Sequence, residues 1–457
     1  MNARPPLTQA TLWRYSALGL PQALPTVAVY VLLPTWYAEE VGLSLVQIGV
    51  ILLLTRLFDV ITDPLVGIFM DRHPRVRLTS LTLTGGLICA PALLLLVNPF
   101  VHQPAASLLF SLVLLYAGWT LIQIPYLAWL PRLHPDSRER NRATAYREAL
   151  ALCGLVLSAA LPVLLGLAGL GLQQSLNALV ILAIAAGFVA LQALRGLAQP
   201  RVPTQALPKV PLKASHKARA DSLCARQPSL FRDNRLALRL LLSWFINGLA
   251  NGFPAILFPL FVTAYLDANN QARALYILLY FAAAILSLPL WQYLTLKVSR
   301  ARLWCLAMLA AILAFGCAPL LSADTALWFI PICLITGTAL GADLTLPHVM
   351  QAEVSDWDRY RFGAERNASL FACWNMATKL ALGLSAGCAF VLLGAGGFDA
   401  AASGAQPLWL LALLYALVPC TCKAIAIALL WNFPLSQRRH QAIQRRLARR
   451  QEGVEAA

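Results

Sequence analysis

The sequence predicts an all-α integral membrane protein with twelve transmembrane helices in two six-helix halves. Hydrophobic residues make up 59% of its 457 residues and charged residues only 12%, about half the charged fraction of an average soluble protein. The apolar residues occur in runs of about 20 without alternation, which is the length that crosses a bilayer core as a helix. The N-terminus lacks the features of a secretory signal peptide, so we expect no cleaved leader.

Twelve apolar segments meet this length criterion, and a basic, proline-rich stretch divides them six to six. In chain order, spans 1 to 12 are predicted at residues 12–37, 45–70, 78–98, 106–130, 148–168, 175–194, 240–264, 274–296, 303–321, 325–348, 368–393 and 406–431. The predicted organisation is an N-terminal half (1–195), a cytoplasmic basic linker (196–237), a C-terminal half (238–432) and a basic cytoplasmic tail (433–457).

The lysines and arginines indicate the orientation of these spans. With the N-terminus placed inside, the segments on that side hold 32 of the 36 Lys and Arg residues, and the opposite loops hold only Arg273. This positive-inside bias predicts a multi-pass protein of the cell (inner) membrane with both termini in the cytoplasm. Topology and attraction to anionic lipid headgroups account for the net charge of +16, so we expect the lipid bilayer and no nucleic acid as a partner.

Span 2 carries three charges, Arg56, Asp59 and Asp63, inside an apolar run. An ionisable side chain at the centre of a lipid-exposed helix costs about 2.5–3.5 kcal/mol, so this face must point into the protein or into water. The two aspartates are four residues apart and project from one face of the helix. Converging carboxylates predict a site for Na⁺ or H⁺ and no other metal, and the alternative is an ion-pair network that fixes helix packing.

Three further charges lie within the predicted spans of the C-terminal half. Lys379, about ten residues into span 11, is placed to pair with Asp59 or Asp63 across the two halves. Asp343, in the last third of span 10, suits either binding or helix packing. Lys423 is nearer the cytoplasmic end of span 12, and we expect its amine to extend to the membrane interface.

Polar side chains in or beside the spans are candidates for binding a solute, and interhelical hydrogen bonding is the alternative role for each. The candidate substrate-binding residues are Gln123, Arg147, Asn247, Asn251, Trp374 and Lys379. A separate cluster follows span 2 at its cytoplasmic end, where a charge-pair latch between helices is the natural interpretation. The candidate gating residues are Asp71, Arg72, Arg75 and Arg77.

The two halves echo each other at matching places. "DSRERNRATAYREAL" follows span 4 and "DWDRYRFGAERNASLFACW" follows span 10, and both run from Asp through basic residues into a small, Ser/Thr-containing start of the next span. Two six-helix halves related by an axis along the membrane normal are the plan of the major facilitator fold. We therefore expect the halves to rock about a site at mid-membrane.

The stretches "RLFDVITDPLVGIFMDR", "IQIPYLAWLP", "DSRERNRATAYRE" and "VSDWDRYRFGAERNASLFACWNMATKLALGL" resemble the glycoside–pentoside–hexuronide:cation symporters, the family of the melibiose permeases. The resemblance extends from about Tyr15 to span 12 and implies transport of a solute coupled to Na⁺, Li⁺ or H⁺. By position in the motifs, it implies that Asp59 and Asp63 are cation carboxylates. It further implies that Thr120 is a cation-site hydroxyl and that Arg147 and Lys379 are functional residues of spans 5 and 11.

The sequence departs from the sugar-transporting members of that family. Ala23 and Gln123 stand where those members carry acidic residues that hold sugar hydroxyls, and Leu127 stands at a tryptophan position. Carboxylates are natural partners of vicinal hydroxyls and tryptophan stacks on sugar faces. We therefore expect a more apolar pocket and a substrate that is less hydroxylated, more apolar, or anionic.

The function predicted is cation-coupled symport of a small organic solute by alternating access, without a cofactor other than the coupling cation and by a monomer. The alternatives on the same fold are a transporter of lysolipids or other amphiphiles and a non-transporting membrane sensor. An intramembrane enzyme is disfavoured, because the sequence contains no HExxH, no GxSxG and no paired Ser/Lys in a span. Substrate identity, the choice of Na⁺ or H⁺ and the direction of transport stay open.

Overall fold

The computed structural model describes residues 6–73, 77–133, 137–197, 234–362, 367–399, 407–435 and 439–446. Within these ranges the regular structure is helical, and twelve helical segments are long and apolar enough to cross a membrane. The predicted all-α fold with twelve spans is confirmed. Residues 198–233 of the predicted linker lie outside the described ranges, as do residues 447–457 of the predicted tail.

The helices of the N-terminal half agree with the predicted spans to within a few residues, except where helices run on into the polar loops. Span 1 is built from Gln9–Ser16, Gly19–Ala23, a π-helical turn Ala28–Leu32 and Leu33–Glu39. Spans 2 to 6 are Leu45–Arg72, Leu78–Val97, Pro104–Leu133, Ser137–Leu167 and Leu172–Arg195.

The C-terminal half repeats this plan. Span 7 is Arg235–Leu260 with a π-helical turn Phe261–Tyr265, and span 8 is Asn270–Leu286 with Leu288–Leu294. Span 9 is Arg300–Cys317 followed by the 3₁₀ turn Ala318–Leu320, and span 10 is the 3₁₀ turn Ala323–Trp328 with Phe329–Phe362. Span 11 is Asn367–Ala395, and span 12 is Leu408–Ala412, the π-helical turn Leu413–Leu417 and Val418–Leu430.

Local sequence fixes where span 2 begins and where it is weakened. Ser44 Oγ accepts the backbone N–H of Gln47, and Gln47 Oε1 accepts the backbone N–H of Ser44, so the helix starts with a capping box. Pro64 lies inside the helix and has no N–H to donate to the preceding turn. The backbone of span 2 is therefore one hydrogen bond short immediately after Asp63.

The most extensive contacts between the two halves are span 2 against span 11 and span 5 against span 8, and span 1 also contacts span 7. Span 2 corresponds to span 8 in the other half, and span 11 corresponds to span 5. The symmetry that relates the halves therefore converts the first of these pairs into the second. The interface thus has the symmetry that the internal repeat predicts for two related halves.

Glycines allow spans 2 and 11 to approach closely along their length. A Cβ at Gly49 of span 2 would lie 3.0 Å from the carbonyl oxygen of Gly387 on span 11. Deeper in the membrane, a Cβ at Gly383 would lie 2.6 Å from the Cβ of Arg56. Small residues at such positions let helix backbones pack tightly in membranes, and here they bring the charged face of span 2 against span 11.

Replacing Gly383 with alanine is expected to push span 11 away from span 2, because the new methyl group meets a Cβ fixed to the backbone of Arg56. Overpacking of this kind costs about 1–3 kcal/mol, so the thermal midpoint of the detergent-purified protein should fall. Gly67→Ala in span 2 is the control, since no atom lies within 4 Å of its added Cβ. Equal midpoints for the two variants would contradict the close approach.

Candidate functional site

The charged face of span 2 meets Lys379 of span 11 and Thr120 of span 4. Lys379 Nζ donates to Asp59 Oδ1 at 2.9 Å and to Asp63 Oδ2 at 2.5 Å. Thr120 Oγ1 lies 2.9 Å from Asp63 Oδ1 and 3.4 Å from Asp59 Oδ1. The prediction that Lys379 pairs with Asp59 or Asp63 across the halves is confirmed, and the ammonium contacts both carboxylates.

Arg56 forms the other wall of this cluster. Its Nη1 donates to Asp59 Oδ2 at 3.4 Å, and its guanidinium lies 4.4 Å from the ring centres of both Tyr30 and Tyr116. Cation–π contacts of this kind stabilise a desolvated cation by up to about 2 kcal/mol. Arg56 is therefore held by two tyrosine rings as well as by one carboxylate, and its burial does not depend on Asp59 alone.

The charges of the cluster balance. Asp59 and Asp63 carry two negative charges, and Arg56 and Lys379 carry two positive charges, in a region where Asp59 is only 3% exposed. The Thr120 hydroxyl lies within 3.4 Å of both carboxylates, so the cluster offers the oxygen-rich surrounding that a hard cation prefers. In this structure the ammonium of Lys379 occupies the position between the two carboxylates.

The candidate substrate residues lie in several different places. Gln123 is half-buried on span 4, one turn beyond Thr120. Arg147 bonds to its neighbour Glu148. Trp374 is buried beneath Trp244 of span 7, with ring centres 4.7 Å apart in a stacked arrangement.

Asn247 and Asn251 lie away from the cation candidates, on a second charged cluster inside the C-terminal half. Their side-chain oxygens accept from Lys423 Nζ at 2.9 and 2.7 Å. The prediction that Lys423 extends to the interface is wrong, because its side chain is 2% exposed. The amide pair on span 7, one turn apart, holds the amine inside the bundle.

The predicted gating cluster falls largely outside the described part of the chain. Arg75 is not described, and neither are the side chains of Asp71 and Arg72, while Arg77 is exposed at the start of span 3. Their gating role therefore stays a prediction.

A polar contact between the halves lies at the opposite end of the bundle. Glu39, which ends span 1, accepts from Arg273 Nη1 of span 8 and from Thr263 Oγ1 of span 7, both at 3.3 Å. The sequence identified Arg273 only as the one basic residue in the loops opposite the termini and predicted no partner for it. It is 2% exposed, so the contact closes the end of the interface far from the termini.

The basic tail packs on the protein at the other end. Residues 439–446 are helical, with Ile443 buried. His440 Nε2 lies 2.8 Å from Asp356 Oδ2 of span 10. This part of the predicted basic tail is thus a helix docked on span 10.

The chain belongs to the family described as MFS/sugar transport protein, whose model matches residues 15–437. It is 29% identical over 157 residues to the putative glycoside/cation symporter YagG of Escherichia coli (strain K12), covering 32% of this chain and 33% of that protein. It is 26% identical over 159 residues to the sodium-dependent lysophosphatidylcholine symporter 1-A of Danio rerio, covering 33% of this chain and 30% of that protein. The matched segments thus span about a third of each relative.

Solved structures confirm the fold. The D-xylose-proton symporter superposes with a TM-score of 0.68 at 13% identity, covering 93% of this chain and 98% of that one. The nucleoside transporter NupG gives a TM-score of 0.61 at 12% identity, covering 92% and 99% of the two chains. The predicted major facilitator architecture is therefore correct.

Replacing Glu39 with glutamine should weaken the closed end of the interface, because Arg273 loses its ionised partner. Spin labels on Leu170→Cys and Gln271→Cys, in a background without native cysteines, report the distance between spans 5 and 8 at that end. We expect Glu39→Gln to add a longer-distance population. The matched control is Glu40→Gln, since Glu40 bonds to Trp36 within its own half. Identical distance distributions for the two variants would exclude a latch.

Proposed function

We propose that this protein is a secondary transporter that carries a small organic solute together with Na⁺ or H⁺ by alternating access. The observation that carries the proposal is the cluster of Asp59, Asp63, Thr120 and Lys379, which joins the two halves within the membrane. Family membership and the transporter structures of the same fold support it.

The coupling cation competes with Lys379 in this mechanism. Na⁺ would take the oxygens of Asp59, Asp63 and Thr120 and displace the ammonium, whereas H⁺ would neutralise one carboxylate and break its bond to Lys379. Each charge-assisted hydrogen bond contributes about 1.5–3 kcal/mol. Cation binding therefore exchanges one set of strong contacts for another and leaves little net cost.

This exchange links the cation to the arrangement of the halves. Lys379 belongs to the C-terminal half and the carboxylates to the N-terminal half, so their contact stabilises the state in which spans 2 and 11 are close. A cation bound only by the N-terminal half removes that contact and changes the relative stability of the two access states. A ligand shifts such an equilibrium by its differential affinity for the two states.

The excess of lysine and arginine in the loops on one side indicates the orientation of the protein in the membrane. We infer that the protein is a monomer of the cell membrane with both termini in the cytoplasm, as the positive-inside rule favours. The end closed by Glu39 and Arg273 then faces outward. With this orientation, the contact of Glu39 with Arg273 supports a state closed to the outside.

The solute we propose is less hydroxylated than a simple sugar. Ala23 and Gln123 cannot supply the ionised oxygens that hold vicinal hydroxyls, and losing two charge-assisted bonds weakens binding at least about a hundredfold. A glycoside with an apolar aglycone or an organic anion suits these residues. A lysolipid is the second candidate, favoured by the similarity to the sodium-dependent lysophosphatidylcholine symporter.

Uptake into proteoliposomes tests the proposal. A panel of radiolabelled galactosides, aryl glycosides, organic anions and lysolipids is offered under a Na⁺ or H⁺ gradient. We expect accumulation of a panel member that collapses at least tenfold in Asp63→Asn, because the neutral amide holds Na⁺ more weakly than a carboxylate and cannot take up a proton.

Asp324→Asn is the matched control, since Asp324 is exposed in the 3₁₀ turn that begins span 10. It should transport like the wild type. Cation-driven accumulation by Asp63→Asn equal to that of Asp324→Asn would overturn the coupling role.

A further inference from the structure

A second charged cluster lies wholly inside the C-terminal half and takes no part in the proposed cation site. It joins Asp343 of span 10 and Lys423 of span 12 through Asn251 of span 7, whose Oδ1 accepts from Lys423 Nζ and whose Nδ2 donates to Asp343 Oδ2 at 2.7 Å. Trp304 Nε1 of span 9 donates to Asp343 Oδ1 at 2.5 Å. Four helices therefore contribute to the surroundings of one buried ion pair.

The two charges are not arranged as a tight salt bridge. Lys423 Nζ and Asp343 Oδ2 are 4.0 Å apart, and the shorter hydrogen bonds of both groups go to neutral amides and an indole. A structural role for a buried ion pair requires close geometry to offset desolvation, and apolar residues of similar volume would often serve better. The separation leaves room for a third group to contact both charges.

A cavity lies beside the pair. Asn251, Asp343 and Lys423 all line it, together with an aromatic wall, and it reaches Val31 of span 1 in the other half. Its volume of about 60 Å³ equals that of about two water molecules, which suits a small polar head group. Six aromatic residues are among the others that line the cavity: Phe258, Tyr280, Phe281, Phe315, Phe329 and Tyr415.

One polar group in the cluster is unsatisfied. Asn247 is fully buried, and its Nδ2 has no hydrogen-bond partner among the described residues. An unpaired buried donor costs about 1–3 kcal/mol. Asn247 contacts Lys423 through its oxygen, so an acceptor bound at Lys423 would lie near this unpaired donor.

We propose that Lys423 and Asp343 form a second binding site, which takes the carboxylate of a monoanionic solute at Lys423 together with one proton at Asp343. The inference rests on the proposed transport function and names the substrate class. An O–H bond forms on the Asp343 carboxyl with a proton from water, and no other covalent bond changes. The site is neutral before and after, because the solute carboxylate replaces that of Asp343 as the partner of the ammonium.

The titratable groups around Asp343 leave it as the proton acceptor. They are Lys423 and Tyr415 of span 12, Tyr280 of span 8, and Cys333 and His348 of its own helix. Tyrosine and cysteine ordinarily lose their protons above pH 8, so these side chains stay neutral at neutral and mildly acidic pH. An imidazole can also take up a proton, so a control variant replaces His348.

Binding of carboxylates to the purified protein tests the site without any ion gradient. The probes are radiolabelled acetate, phenylacetate and oleate, with neutral phenylacetamide for comparison, at several pH values and with a dye that reports proton uptake. We expect the wild type to bind a carboxylate with about one proton, so its affinity should fall about tenfold for each pH unit. The three acids differ in the size of the apolar group that carries the carboxylate. Comparing their affinities therefore distinguishes a site for small solutes from a site for fatty acids.

Variants separate the two charges. Asp343→Asn imitates the protonated carboxyl, so it should bind the anion without proton uptake and with an affinity independent of pH. The double variant Asp343→Asn/Lys423→Met keeps the site neutral, and it should bind at least tenfold more weakly while still unfolding in one cooperative thermal transition. Arg302→Gln, which removes an exposed charge in span 9, and His348→Asn should both behave like the wild type.

Several outcomes would overturn the site. They are equal affinity for phenylacetate and phenylacetamide, binding without proton uptake in the wild type, undiminished binding in the folded double variant, or no carboxylate bound by the wild type. Failure of the proposed cation coupling would give a different result from failure of the second site. Carboxylate binding would persist, and uptake would no longer depend on a cation at Asp59 and Asp63.

Discussion

The contact of the Lys379 ammonium with the carboxylates of Asp59 and Asp63 is the interaction on which the other features depend. It compensates two negative charges within the membrane, one buried and one half-buried, where an uncompensated charge is costly. It also joins the two halves, because the ammonium and the carboxylates come from different six-helix units. Glycines where spans 2 and 11 cross allow the two helix backbones to approach closely. Close backbone packing and the contact between opposite charges therefore occur between the same two helices.

The two buried charge clusters have different architectures and suit different tasks. The cluster at Asp59 spans the interface, so a change in its charge alters the relation between the halves. The cluster at Asp343 and Lys423 lies within one half and opens on a cavity that reaches the other half at Val31. An ion bound at the first and a solute bound at the second would both influence the same interface, which is the requirement for coupled transport.

The sequence predicted the spans, the two-half plan and the Lys379 contact for physical reasons that act locally. Runs of about 20 apolar residues, a four-residue spacing of carboxylates and the depth of one lysine each imply a placement without tertiary information. The major facilitator fold then followed from the repeat and is confirmed by the solved transporters.

Other features depend on contacts between distant segments and carried no local signal. Nothing near Lys423 in the chain indicates that Asn247 and Asn251 hold its amine, so its position near a helix end suggested the interface. The tyrosine rings around Arg56 come from spans 1 and 4, and the partner of Arg273 is the last residue of span 1. Pairings of this kind require the packed structure.

Cation binding to Lys379→Gln is the most direct measurement of the central claim that the ammonium and the coupling cation compete for one position. Radiolabelled Na⁺ and protons are titrated separately against the purified wild type and the variant. The account predicts that the variant binds the coupling cation at least tenfold more tightly, since loss of one or more charge-assisted bonds worth about 1.5–3 kcal/mol removes the competitor. Equal or weaker binding of both cations by the folded variant would contradict it.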